Sequence, residues 1–268
     1  MDSNMIDKYR PFAEMGKSCA TREIREKKVI WPNFEKALYE GKFKIAIISR
    51  SDIIDVAKLW RIGYPELYGS SAKYDWVFFP KKYESRVAFK DSWAEDSVNK
   101  SYCMTVIKET KTDRIISASL LTKDDNNLHV EYSIGCVHPQ YRRQKEGESL
   151  MINAFEHLRA IEEETDAEYV TAFCETWHSI TQYLCFKQWG WKIAGIFPGQ
   201  VTRWCGENRE YRGCTVHFYK FLRDAEKYVT KPEEWKILPE VAKIWQALEE
   251  ANKHADDSRM TEYTKKYC

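Results

Sequence analysis

Residues Val137 to Met151 read Val-His-Pro-Gln-Tyr-Arg-Arg-Gln-Lys-Glu-Gly-Glu-Ser-Leu-Met and join an apolar extended run to an amphipathic helix. A strand that ends near a proline, passes through a basic turn and opens a helix points unpaired backbone N–H groups and the positive helix end at whatever lies above the turn. That is the chemistry of an anion site, suited to a pyrophosphate. Arg142 and Arg143 add forked donors and Lys145 a further cation. The bland alternatives are a strand-to-helix turn that binds nothing and a solvated lysine.

The window resembles the acyl-CoA loop of the GNAT N-acetyltransferases, Val-x-Pro-x-Tyr-Arg-Gly-x-Gly-x-Gly-x-x-Leu. Val137, Pro139, Tyr141, Arg142, Gly147 and Leu150 fall in step with it, whereas Arg143 and Lys145 replace glycines and Glu146 replaces an aliphatic residue. A lysine where backbone would approach a ligand implies a different path or an added contact. The resemblance implies an acyl-CoA donor, normally acetyl-CoA, with no metal. It places donor contacts at Val137, Arg142, Arg143, Gln144, Lys145, Gly147 and Glu148, and at Ser179, which stands where the family has a CoA-contacting asparagine and which equally suits a helix N-cap.

Moving an acyl group from a thioester to an amine needs a deprotonated amine, a polarised carbonyl and a proton for the departing thiolate. Glu131 precedes Val137 at the distance where related members carry a glutamate general base. Strand alternation expects it on one face with Ser133, Gly135 and Val137, and a surface carboxylate without a role is the alternative. The family's usual thiolate donor is a tyrosine whose position here is Phe186. Tyr183, one turn earlier, is the substitute, set against a reading as a buried aromatic with a bonded hydroxyl. Cys136 and Cys174 read as packing residues rather than nucleophiles, and His138 as a bystander.

The elements that must position these groups follow from periodicity. Phe34 to Tyr39 looks helical and is closed by Gly41, within an N-terminal arm spanning 1–42. Phe43 to Ser49 reads as a strand, and Asp52 as the N-cap of a helix through Asp55, Leu59 and Trp60. Tyr64 to Asp96 is dense in aromatics, a core or acceptor-pocket wall. Tyr102 to Lys108, Ile115 to Leu121 and Leu128 to Val137 read as antiparallel strands, the last two joined by the turn formers Asp124 to Asn127. Leu150, Met151, Ala154, Phe155, Leu158 and Ile161 trace one helical face. A strand over Tyr169 to Trp177, a helix from His178 to Trp189, and strands over Ile193 to Phe197 and Cys214 to Leu222 follow, these last flanking a loop with Pro198, Gly199 and Gly206. From Arg223 the chain reads as a charged helical extension, with Trp235, Leu238, Ile244, Trp245 and Leu248 as docking residues.

This order matches an α+β GNAT fold over 43–222, a mixed and mostly antiparallel sheet flanked by helices, with 223–268 as an extension. The 268 residues, 43% hydrophobic, suffice for a substantial core. With 42 basic against 41 acidic residues the formal charge is +1, which argues against nucleic acid or an anionic membrane as partner. Eight cysteines without a C-x-x-C pair, and a charged N-terminus, suggest reduced thiols in the cytoplasm; six histidines show no metal-ligand spacing. The expected function is an N-acyltransferase acting on a primary amine of a small molecule or amino acid. Its expected protein partners are a second copy of the chain or an acyl carrier protein acting as donor. A GNAT-like module that binds acyl-CoA without catalysis is the competing class.

Overall fold

Apolar residues at alternate positions make the middle of this chain a sheet, and the order in which the strands pair decides where that sheet opens. The structure, a computed structural model, describes residues 17–65, 84–142 and 148–258, without the side chains of 148–155. Its strands are β1 (Glu35–Leu38), β2 (Phe43–Ile47), β3 (Val87–Ala88), β4 (Tyr102–Glu109), β5 (Ile115–Asp124), β6 (His129–Val137), β7 (Tyr169–Glu175), β8 (Lys192–Gly206) and β9 (Arg209–Phe221). The helices are α1 (Ile53–Gly63), α2 (Trp93–Asn99), α3 (Glu148–Glu164), α4 (Ile180–Lys187) and α5 (Pro239–Asn252). The strands lie in the order β1-β2-β4-β5-β6-β7-β9-β8, with β3 parallel to β4 off that path.

Most neighbours are antiparallel, as expected, and along the main path the exception is the one that matters: β6 and β7 run parallel. Parallel neighbours need a crossover, which α3 supplies, so the C-terminal ends of both strands and the start of α3 share one edge of the sheet. One face of the sheet is covered by α1, whose Ile53, Val56, Leu59 and Trp60 pack on Met104, Val106, Leu120 and Ile134. The other face is covered by α3 and α4 through Leu158, Ile161, Leu184 and Cys185. Each large side chain buried in this way contributes roughly 1.5–3 kcal/mol.

Several local expectations are overturned. Phe34 to Tyr39 is not helical: Glu35–Leu38 is a strand antiparallel to β2, because Tyr39 and Glu40 take positive φ and, with Gly41 at φ 82°, close a tight hairpin. Asp52 precedes α1 without capping it through its side chain; it closes the preceding turn by accepting from the Ser49 N–H at 3.0 Å and also binds Lys108 Nζ at 2.6 Å. The loop expected around Pro198 and Gly206 is instead part of one long hairpin. β8 runs through Pro198 with register shifts that absorb it, and turns at Glu207 and Asn208, both at positive φ.

In the arm, Val29 and Trp31 are fully buried, and Lys123, itself almost inaccessible, donates to the carbonyls of Val29, Ser97 and Val98. At the other end, Asn252 clamps α5 to β8 with two bonds to the Ile193 backbone, at 2.7 and 3.0 Å. Trp235 and Trp245 stack edge to face beneath it, whereas Leu238 and Ile244, expected to dock, are 68% and 62% exposed.

Candidate active site

The parallel ladder between β6 and β7 is short. It runs from the His129/Tyr169 pair to the Tyr132/Ala172 pair. Past that point each strand continues with its other neighbour, β6 with β5 as far as Val137 and β7 with β9 as far as Glu175. The two strands therefore part, and a wedge opens between them toward the edge where α3 begins. Clefts at the carboxyl ends of parallel strands are where open sheets bind ligands.

A register shift between β5 and β6 accompanies the parting. Leu120 pairs with Ile134 but Leu121 with Tyr132, leaving Ser133 as the extra residue. A bulge exchanges the faces of the strand on either side of it. Glu131 therefore shares the α1 face with Ile134 and Cys136, not with Gly135 and Val137 as simple alternation expects. Val130 and Tyr132 point to the α3/α4 face.

Glu131 stands one rung inside the throat of the wedge, paired across the ladders with Thr122 on one side and Thr171 on the other. Ser133 Oγ donates to Glu131 Oε1 at 2.9 Å and lies 3.2 Å from Thr122 Oγ1. His129 is on the same face, its Nε2 2.7 Å from Thr171 Oγ1. Burial pushes the His129 imidazole below its usual pKa despite the opposing charges of Glu131 and Asp124, so it is neutral at neutral pH. Beyond it this face continues with Phe173, His217 and Phe197, the last two rings stacked 3.6 Å apart, and with an ion pair between Glu175 and the buried Arg203. Gln200 joins His217 and Thr215 in a hydrogen-bonded cluster. None of these groups is singled out by sequence spacing, because they come from three strands.

The opposite face of the wedge is apolar and thiol-rich. Cys174 and Cys185 approach to 3.9 Å between sulfurs, both as free thiols, and Phe186 packs beside them. Tyr132 packs on the same cluster, its hydroxyl reaching toward Gly135. A Cβ added to Gly135 would fall 1.9 Å from that hydroxyl, so a larger residue there would have to displace the Tyr132 ring. The Tyr64 hydroxyl, from the end of α1, donates to the Gly135 carbonyl.

The predicted donor contacts divide. Val137 is buried, and its carbonyl accepts from Arg142 Nε at 3.0 Å, while Arg142 Nη2 reaches the Gly63 carbonyl at 3.2 Å, tying the turn to the end of α1. Arg143, Gln144, Lys145 and Gly147 lie outside the described residues, and Glu148 opens α3 with its side chain undescribed. So do the aromatics from Tyr68 to Tyr83. Ser179 occupies the N-cap position of α4, exposed and without a side-chain cap bond. Tyr183 is 54% exposed and does not join Phe186 against the core. Among the described residues no group of metal-ligating side chains occurs, and no helix is long and apolar enough to cross a membrane.

The sequence matches no protein-family profile and no curated protein. Solved structures do match. The chain is similar to the ribosomal-protein-S5-alanine acetyltransferase of Vibrio fischeri, with a TM-score of 0.51 and 9% identity over 72% of this chain and 98% of that one. It is also similar to the spermidine N-acetyltransferase of Vibrio cholerae, solved with CoA and spermine, with a TM-score of 0.48 and 11% identity over 70% of this chain and 98% of that one. A third match, to the ribosomal-protein-S18-alanine N-acetyltransferase of Escherichia coli, has a TM-score of 0.42 and 11% identity over 67% and 94% of the two chains. The first of these shows the fold: this chain has the mixed, helix-flanked sheet of GNAT acetyltransferases.

Proposed function

We propose that this chain is an N-acyltransferase that moves an acetyl or related acyl group from CoA to a primary amine of a small molecule or amino acid. The observation that carries the reading is the parting of β6 and β7 with Glu131 at the throat. A thioester laid in the wedge has its carbonyl carbon beside that carboxylate. The amine arrives over the α1 face, where Glu131 accepts its proton directly or through water and the neutral His129 adds no repulsion to an ammonium ion. The Phe173, His217 and Phe197 rings offer an apolar wall to the acceptor's body. The donor's pyrophosphate belongs at the start of α3, held by Arg143, Gln144, Lys145, Gly147 and Glu148, with Val137 and Ser179 along the arm. Residues 43–222 carry this machinery, with 1–42 lending β1 to the sheet and 223–268 buttressing β8. Free thiols at Cys103, Cys136, Cys174 and Cys185 fit a cytoplasmic protein.

Release of CoA thiol from acetyl-CoA, followed over polyamines, free amino acids and a peptide with N-terminal alanine, tests the reading. Amine-dependent thiol release with formation of the acetyl amide is the expected result. Tight CoA binding by calorimetry without transfer to any amine would instead make the chain a binding module, and transfer only from an acyl-loaded carrier protein would change the donor.

A further inference from the structure

We propose that the turn following α5, residues 252–257, is a brace that positions α4, and that Asn252 sets the donor affinity of the wedge through it. The inference rests on the acyl-transfer reading above and gives the C-terminal extension a part in that reaction. α4 stands against one wall of the wedge. Its Cys185 lies 3.9 Å, sulfur to sulfur, from Cys174 on β7, just past the last parallel rung at Ala172, and Ser179 at its start is the proposed donor contact.

This helix is weakly held by its own sequence. It has 8 residues, where an isolated helix needs about 12 or more to be even marginally stable. Ser179 makes no side-chain cap bond, and of the helix's side chains Leu184 and Cys185 alone are buried. A helix end also leaves carbonyls without an intrahelical partner. In the last turn of α4 the Cys185 carbonyl accepts from the nearby Trp191 N–H at 2.9 Å, whereas the Phe186 carbonyl accepts from far along the chain, from the Asp256 N–H at 2.9 Å. Lys187 Nζ donates to the His254 carbonyl at 2.7 Å. A third contact is steric. Gly190, just past the helix at φ 66°, lies so close to the turn that a Cβ added to it would come 2.9 Å from the Asp257 Cβ.

Asn252 fixes the turn. Its amide takes both backbone groups of Ile193 on β8, the strand at one end of the sheet: Oδ1 accepts from the N–H and Nδ2 donates to the carbonyl. One side chain thereby does what a further strand would do at that position, and it ties the end of α5 to the sheet. Residues 254–257 follow directly and hold the end of α4. The position of α4 over β7 is therefore set from β8 through Asn252 and the turn. A shift of α4 moves Ser179 and Phe186 relative to the donor, while Glu131, on β6 and bonded to Ser133 of the same strand, stays where it is. Loosening the brace should act on the donor and spare the base.

Asn252→Ala in the full chain removes both anchoring bonds without altering a residue of the wedge. Hydrogen exchange read by mass spectrometry should show the amides of α4 exchanging at least about fivefold faster than in the wild type, with β4 to β6 unchanged. KM for acetyl-CoA should rise about fivefold while kcat and KM for the amine stay within about twofold. Lys187→Met keeps the aliphatic stem and removes the bond to His254; it should move the same readouts in the same direction by a smaller factor, and it carries the test if Asn252→Ala does not fold. Unchanged exchange in α4, or a loss shared evenly by kcat and both KM values, would make the extension a support for overall stability and overturn the proposal. Calorimetry with CoA separates the two readings: a wild type that acetylates no amine removes the acyl-transfer reading, while a Kd for CoA about fivefold weaker in Asn252→Ala upholds the brace.

Discussion

The two faces of the sheet treat their polar groups in opposite ways. On the α1 face near the wedge, Glu131, His129 and Glu175 each have a hydrogen-bond or ionic partner within the protein and are only partly buried, with the buried Thr171 and His217 beside them. On the α3/α4 face the polar groups are sealed from water. Thr105 and Ser119 bond each other at 2.8 Å, and His157, fully buried, touches Thr105 Oγ1 at 3.3 Å through Nδ1 while its Nε2 has no partner. A hydrogen-bonded carboxylate at the throat of the wedge is placed to take a proton in the proposed reaction, whereas a sealed imidazole is held neutral. The contrast leaves the proposed base on the α1 face and gives the α3/α4 face to packing.

The largest expected effect tests how well the α3/α4 face is sealed. Burial pushes the His157 pKa down from the usual 6.5 to about 3. The folded protein therefore keeps this imidazole neutral while the unfolded chain binds a proton. Above pH 6.5 neither state binds it; as pH falls from 6.5 toward 3, the unfolded state gains a proton that the folded state refuses, and stability drops by up to roughly 4 kcal/mol. Urea denaturation at pH 7 and pH 4 should show this loss in the wild type and a much smaller one in His157→Gln. Equal acid sensitivity in the two proteins would mean that water reaches the face.

The next effect addresses the other face. Glu131→Gln keeps shape and the bond from Ser133 but abolishes basicity, so turnover should fall about a hundredfold with little change in donor affinity, and the acidic limb of the pH–rate profile should vanish. An active Glu131→Gln protein with an unaltered profile would strip the α1 face of its role and leave the acceptor to arrive already deprotonated.

Much of this arrangement is readable from residues alone, and the failures share a cause. β4, β5 and β6 are legible because alternation is strong and Asp124 to Asn127 mark the turn between two of them. The donor turn is legible because proline, arginines and glycine fall at motif spacing. Glu131 is legible as a candidate by its distance from Val137, but its face is not, since a bulge at Ser133 leaves no mark in composition and reverses every orientation after it. β1 hides because Phe34 to Tyr39 has helix-like spacing and no short-range signal for its partner. The Pro198 and Gly206 signals suggest a loop, although a long hairpin absorbs both through register shifts.

The smallest expected effect concerns Tyr183. Tyr183 occupies the first half of α4, one turn before Phe186, which is close to where the family resemblance seeks a proton donor. Yet its side chain is 54% exposed while Phe186 packs on the core, so the helix presents the two residues to different surroundings. A hydroxyl on an exposed side chain is not held in one geometry against a leaving group, and that positioning is what general-acid catalysis needs. Tyr183→Phe should therefore change turnover by less than about twofold and leave the solvent isotope effect unchanged, measured beside the wild type under the same conditions. A tenfold loss in Tyr183→Phe would mean that α4 turns this ring inward when the donor binds. The acid would then lie on the helix.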